Sequence, residues 1–263
     1  MTIDLLIRGC PLPRTEAEVL VAHCLDKERT WLLAHGREQL TTEEERNIQH
    51  FLARRSSREP IAYITGRQEF YGRTFVVTPA VLIPRPATEG LVEAALDFLR
   101  APAQGEREVD NQIVVVTRTL RAMERMHTIV DLGTGSGCIA VTIALERPAL
   151  RVMATDVNEE ALAVARENAR RHGMEKRITF CAGTYLQPVQ DLREPFLLVS
   201  NPPYIPAGTA LPHDVVDFEP KEALFAGADG GDVLRELWRQ AKAHPFCAGV
   251  VVECQSDQSA ILT

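Results

Sequence analysis

Residues 128–146 read TIVDLGTGSGCIAVTIALE. A short apolar run, Thr128 to Leu132, is followed by three glycines that alternate with Thr134 and Ser136, and then by a second apolar run. This order reads as strand, tight turn and helix. Glycine permits the left-handed backbone such a turn needs and lets the main chain approach a ligand closely. The same alternation continues downstream. RVMATD (151–156) reads as a strand, and NEEALAVARENARRHG (158–173) as a helix capped by Asn158 and closed by Gly173. RITFCAG (177–183), FLLVSN (196–201) and GVVVEC (249–254) are three further apolar strands. Strands buried on both faces and separated by helices predict an α/β fold of Rossmann-like type with a mostly parallel sheet.

The turn also carries chemistry. Asp156 lies nineteen residues after Gly137, at the end of the next predicted strand. An acid there is placed to hold ribose hydroxyls. The glycine spacing is GxGxG rather than the GxGxxG of dinucleotide sites, and Asp131 sits two residues before the first glycine. A carboxylate at that strand end suits a ligand bearing an amino group or a cation better than a pyrophosphate. S-adenosylmethionine has both. The candidate cofactor-binding residues are Asp131, Gly133, Thr134, Gly135, Ser136, Gly137 and Asp156.

Directly after FLLVS comes Asn201-Pro202-Pro203-Tyr204. Strand carboxyl ends face the ligand crevice in an open parallel sheet. Two prolines fix φ and remove two N–H donors, leaving an acceptor-rich loop. A planar NH₂ group needs two in-plane acceptors, which Asn201 Oδ1 and the Pro202 carbonyl can supply, while Tyr204 can stack on its face. Asn201, Pro202 and Tyr204 are therefore the candidate catalytic residues, with Pro203 beside them in the substrate loop. Glu253 ends a predicted strand near the same crevice. His213, Asp214 and Asp217 read as a polar substrate loop, since no nucleophile accompanies them.

Upstream, the pattern is helical. Thr15 with Glu18 and Thr42 with Glu45 both fit capping boxes, and a short helix around Trp31 to Ala34 ends near Gly36. EFYGRTFVVTPAVLIP (69–84) reads as two strands turning at Tyr71-Gly72. Leu91, Val92, Ala95, Leu96 and Leu99 form a helical stripe. Residues 101–127 combine a loop-like stretch with the strand-like IVVVTRTL and read as an insertion or linker. The expected organisation is a helical domain (1–66), a hairpin linker (67–85) and the α/β domain (86–263).

The chain has 263 residues, 45% hydrophobic and 25% charged, with a formal net charge of −7. These values exclude a disordered or low-complexity chain and argue against nucleic acid as a partner. No apolar run approaches the ~20 residues of a membrane helix. The six cysteines form no CxxC pair, so no metal site is expected, and they read as buried free thiols. The N-terminal MTIDLLIRGCPLPR lacks the features of a secretory signal, so a cytoplasmic protein is expected.

DLGTGSG, Asp156 and NPPY together resemble class I S-adenosylmethionine-dependent methyltransferases acting on a planar nitrogen. REPIAYITGRQEFYGRTF (58–75) and VLIPRPATEGLVEAAL (81–96) are similar to the protein-(glutamine-N5) methyltransferases that modify peptide chain release factors, the HemK/PrmC family. That resemblance implies methylation of the glutamine amide in the GGQ motif of a release factor. It also implies cofactor contacts from residues 133–137, Asp156 and Asn201, a substrate loop at 201–204, and release-factor recognition by the N-terminal domain. Where the family carries an acid after the third strand, this chain reads Cys181-Ala182-Gly183-Thr184-Tyr185, which leaves Thr184 as the positional candidate for the adenine. Pro86-Ala87-Thr88-Glu89 replaces the usual PETE or PDTE. Such methyltransferases continue into a sixth strand and an antiparallel seventh, and this chain is expected to lack both and to leave a sheet edge open. The same chemistry leaves two alternatives: an amino methyltransferase for adenine N6 or guanine N2 in nucleic acid, and a non-catalytic translation-associated binding protein.

Overall fold

Strand and helix alternate from Thr128 onward as the hydrophobic pattern predicts. The computed structural model describes residues 1–100, 104–109, 112–118 and 126–262. The chain divides into two compact units, one of residues 1–67 with 211–218, the other of residues 68–210 with 219–263.

The first unit is helical: α1 (Ile3–Gly9), α2 (Arg14–Cys24), α3 (Arg29–His35), α4 (Thr42–Ser56) and α5 (Ile61–Thr65). Ile3, Leu6, Leu20, Val21, Leu32, Ile48, Leu52 and Ile64 close its core. The α4 capping box falls one residue earlier than expected, on Thr41 and Glu44, with the Thr41 N–H donating to Glu44 Oε2 at 2.8 Å. Both Thr41 and Thr42 are followed by glutamate at the third position, so the motif alone does not choose between them. The Thr15 box does not form. Helix α2 begins at Arg14 after Pro13, and Glu18 pairs with Arg14 at 2.8 Å and with Arg29 at 3.2 Å.

At the start of the second unit, β1 (Arg67–Phe70, its first residue belonging to the helical unit) and β2 (Arg73–Val76) form the expected hairpin. Tyr71 and Gly72 both have positive φ, 53° and 69°, as a two-residue primed turn requires. Helix α6 (Ala87–Arg100) buries the predicted stripe, with Leu99 only partly covered. The remaining elements are β3 (Gly105–Val109), β4 (Gln112–Arg118), β5 (Thr128–Leu132), α7 (Cys138–Glu146), β6 (Arg151–Asp156), α8 (Glu159–Arg171), β7 (Ile178–Ala182), β8 (Phe196–Ser200), α9 (His213–Val216, in the first unit), α10 (Asp232–Ala243) and β9 (Cys247–Cys254).

Among the described residues, seven strands form one sheet in the order β3-β4-β9-β8-β5-β6-β7. The five from β5 to β9 run parallel, and alternate residues enter opposite layers. Ile129, Leu197, Val199 and Val251 pack in the layer of α6 and α7, whereas Val130, Leu198, Val250 and Val252 pack with Leu234, Leu237 and Trp238 of α10. Full burial of β5, β8 and β9 on both faces explains why these three read as unbroken apolar runs.

The expected open edge is covered. Strand β4 pairs antiparallel along β9 from Ile113↔Cys254 to Arg118↔Gly249, and β3 pairs antiparallel with β4. The segment read as an insertion or linker is thus an integral hairpin of the sheet, although 101–103, 110–111 and 119–125 lie outside the described residues. Val114 and Val115 enter the two opposite layers, so their period-two pattern is satisfied only by a sheet.

Candidate functional site

The carboxyl ends of β5, β6 and β8 open into a cleft of about 270 Å³. Gly133, Gly135 and Gly137 have φ of 70°, 52° and 79°, the left-handed backbone that selected glycine. A side chain on Gly137 would also meet Ala165 Cβ of α8 at 3.0 Å. The loop is held from β6: the N–H groups of Gly133 and Thr134 donate to the Thr155 carbonyl at 2.8 and 2.9 Å, and the Gly135 N–H donates to Asp156 Oδ2 at 2.9 Å. Asp156 Oδ1 accepts the Asn158 N–H at 2.9 Å, so both carboxylate oxygens are oriented before any ligand arrives.

Asp131 lies wholly buried beneath the glycine turn. Its Oδ2 accepts from Thr134 Oγ1 at 2.6 Å and from the Ala140 N–H at 3.1 Å. Its Oδ1 has no partner among the described residues. Burial raises its carboxyl to about 7, and nearby Asp156 adds to the rise. A buried acceptor of this kind, under a backbone cradle open to the cleft, fits a ligand that brings a positive or hydrogen-donating group.

The Asn201 loop faces the glycine turn across the cleft, and Asn201, Pro202 and Pro203 line it. Asn201 Nδ2 donates to Thr88 Oγ1 at 3.0 Å, which leaves its Oδ1 as the remaining acceptor. Tyr204 stands behind this wall. Its hydroxyl donates to Glu253 Oε1 at 3.0 Å and accepts from Gln112 Nε2 at 2.5 Å. Its carbonyl accepts from Gln258 Nε2 at 2.9 Å. Glu253 is fully buried, and desolvation raises its carboxyl, opposed by Thr88, Tyr204, Arg85 and Asn201. Burial first and Glu253 second raise the Tyr204 hydroxyl strongly, so it stays protonated.

Of the residues singled out in the sequence, the cleft brings together Gly133, Thr134, Gly135, Ser136, Asp156, Thr184, Asn201, Pro202 and Pro203. Asp131, Gly137 and Tyr204 support it without lining it. His213, Asp214 and Asp217 belong to the helical unit, where His213 and Asp217 form an exposed pair at 3.1 Å and Asp214 lies 3.8 Å from Arg55. Arg54 and Arg55 are engaged with Glu59 and Glu16. Cys138, Cys247 and Cys254 are buried free thiols as expected, but Cys10, Cys24 and Cys181 are only half-buried.

Thr88, Glu219 and Gln258 were not foreseen. Glu219 is buried and accepts from the Ile83 N–H at 3.0 Å and from Arg85, clamping the LIPRP segment beside the cleft. The signal for Thr88 was its place in the PATE segment. The contacts that tie Gln258 to Tyr204 and Glu219 to the LIPRP segment span 54 and 134–136 residues, so no local pattern marks them.

A mostly parallel sheet of this order, with a glycine turn and the Asn201 loop at adjacent strand ends, is that of a Rossmann-like methyltransferase. Residues 103–230 match the methyltransferase small domain and residues 4–66 the PrmC N-terminal domain. The chain is 40% identical over 236 residues to the release factor glutamine methyltransferase of Koribacter versatilis (strain Ellin345), covering 89% of this chain and 76% of that one. It is 42% identical over 237 residues to that of Bordetella pertussis, with 89% and 77% covered. To that of Xylella fastidiosa it is 39% identical over 252 residues, with 95% and 82% covered. The chain belongs to the release factor glutamine methyltransferase family. Among the described residues no helix is long and apolar enough to cross a membrane.

Proposed function

We propose that this protein transfers a methyl group from S-adenosylmethionine to the side-chain amide nitrogen of the GGQ glutamine in a peptide chain release factor. The observation that carries the reading is the orientation of Asn201: Thr88 engages its Nδ2, and its Oδ1 remains an acceptor at the cleft shared with the glycine turn. Bound there, S-adenosylmethionine supplies an electrophilic methyl group on a sulfonium. Residues 133–137 would cradle it, Asp156 would accept its ribose hydroxyls, Asp131 would favour its cationic end, and Thr184 would lie toward the adenine.

An amide nitrogen is a weak nucleophile because its lone pair is delocalised. Most of the rate must therefore come from positioning, which an acceptor pair at Asn201 Oδ1 and the Pro202 carbonyl provides. The same acceptors stabilise positive charge as it develops on the NH₂ group. The two prolines keep that loop rigid, so little reorganisation is needed at the moment of transfer. The helical N-terminal unit is assigned to release-factor recognition, and the cytoplasm is the compartment of such a reaction. The charge of −7 and the family relationship favour a protein substrate over nucleic acid.

The test is direct. Incubation with S-adenosylmethionine and an intact GGQ-bearing release factor should add one methyl group to that glutamine, read by peptide mass spectrometry. An unmodified glutamine, with the cofactor shown to be bound, would overturn the reading.

A further inference from the structure

We propose that Gln112, on the hairpin that covers the sheet edge, is a positioning residue for methyl transfer and acts by fixing the ring of Tyr204. The inference rests on the proposed methyl transfer. Gln112 opens β4, where Val114 is the register partner of Glu253 on β9. Paired residues project to the same face of a sheet, and so do residues two apart, which places Gln112 on the face of Glu253.

Between them stands the Tyr204 hydroxyl, with Gln112 Nε2 at 2.5 Å and Glu253 Oε1 at 3.0 Å. The hydroxyl hydrogen goes to Glu253 and a lone pair receives Gln112. With the Tyr204 carbonyl held by Gln258, the residue is fixed at both ends. Tyr204 does not line the cleft but ends the Asn201-Pro202-Pro203 loop that does, so a ring held in place holds the acceptors of that loop against the substrate amide. Gln112 also keeps a buried Oε1 with no partner among the described residues. An unpaired buried carbonyl costs free energy that an apolar residue would avoid. A role for the amide N–H explains why the position tolerates that cost.

The experiment compares the parent, Gln112→Met, Tyr204→Phe and the double variant, using the full chain and intact release factor. Gln112→Met should lower kcat about five- to tenfold, the effect of one lost hydrogen bond, with unchanged S-adenosylmethionine affinity by calorimetry and unchanged melting temperature. In the Tyr204→Phe background it should cost nothing further. An equal loss in both backgrounds, or an unchanged kcat in Gln112→Met, overturns the proposal. If Gln112→Met fails to fold, Gln112→Asn, polar but too short to reach, is held to the same outcomes. A parent that methylates no release factor fails the functional reading instead. The Cζ resonance of ¹³C-labelled Tyr204 in the cofactor-free protein then still decides: it should shift in Gln112→Met, and an unmoved resonance overturns the proposal.

Discussion

Asn201 has an amide with two distinct ends, and Thr88 selects which end is free. Thr88→Val should let the amide turn and lower kcat about tenfold, whereas Asn201→Ala should lower it on the order of 10²–10³, the loss of a preorganised polar contact. Single-turnover methylation at saturating cofactor measures both, and an Asn201→Ala variant within about threefold of the parent would return NPPY to a structural turn. Asp156→Ala should weaken S-adenosylmethionine binding by ~1–3 kcal/mol in titration calorimetry, since ribose contacts and the anchor of the Gly135 N–H are lost together. Asp131 makes a pH prediction. Its carboxyl is raised from 3.8 to about 7 in the fold, so the native state holds a proton that the unfolded chain releases earlier. The stabilising contribution is full below about 4 and is lost as pH rises through about 7. The melting temperature of the cofactor-free parent should fall across that window relative to Asp131→Asn, and parallel curves for the two proteins would remove Asp131 as the source.

At the scale of elements, one buried side chain joins the hairpin to the cofactor turn. Asn168 of α8 accepts from the Val76 N–H at 2.7 Å and donates to the Val76 carbonyl at 2.9 Å and to the Ser136 carbonyl at 2.8 Å. It imitates the edge of a strand for β2 while tying down the residue before Gly137. Asn168→Ala leaves the Val76 N–H and the Val76 and Ser136 carbonyls without this partner and should destabilise the protein by about 2–3 kcal/mol in urea unfolding. The position was legible only as a polar break in the apolar face of α8. The hairpin turn at Tyr71-Gly72 was legible through Gly72 and the strand-like runs on either side, whereas Tyr71, at φ 53°, is not a residue that a primed turn selects. The capping boxes were legible to within a residue in α4 and misleading in α2, where Pro13 moved the helix start and ion pairs claimed Glu18.

Across the whole sheet, the covered edge is the largest departure from expectation. Strand β9 is entirely buried, and an exposed edge of such a strand is a template for aggregation. The β3–β4 hairpin occupies that edge from a place in the chain before the glycine turn rather than after β9. Deleting residues 105–118 should therefore raise light scattering and lower the soluble yield at equal protein concentration. Equal solubility of the shortened chain would show that the hairpin does not protect the edge.

The sequence by itself determined the parallel core, the glycine turn with its acids, and the NPPY loop. Each of these is local: a run of apolar residues, a requirement for positive φ, or a proline-stiffened tetrapeptide at a strand end. Only the tertiary structure decided which strand covers β9, which end of the Asn201 amide Thr88 engages, and which groups hold Tyr204. Those outcomes depend on pairings between residues far apart in the chain, Ile113 with Cys254 across the strands, Glu253 and Gln112 with Tyr204, and Thr88 with Asn201. Such pairings leave no period or spacing in the chain, because the choice among many polar partners is made by the packing of the sheet that brings them together.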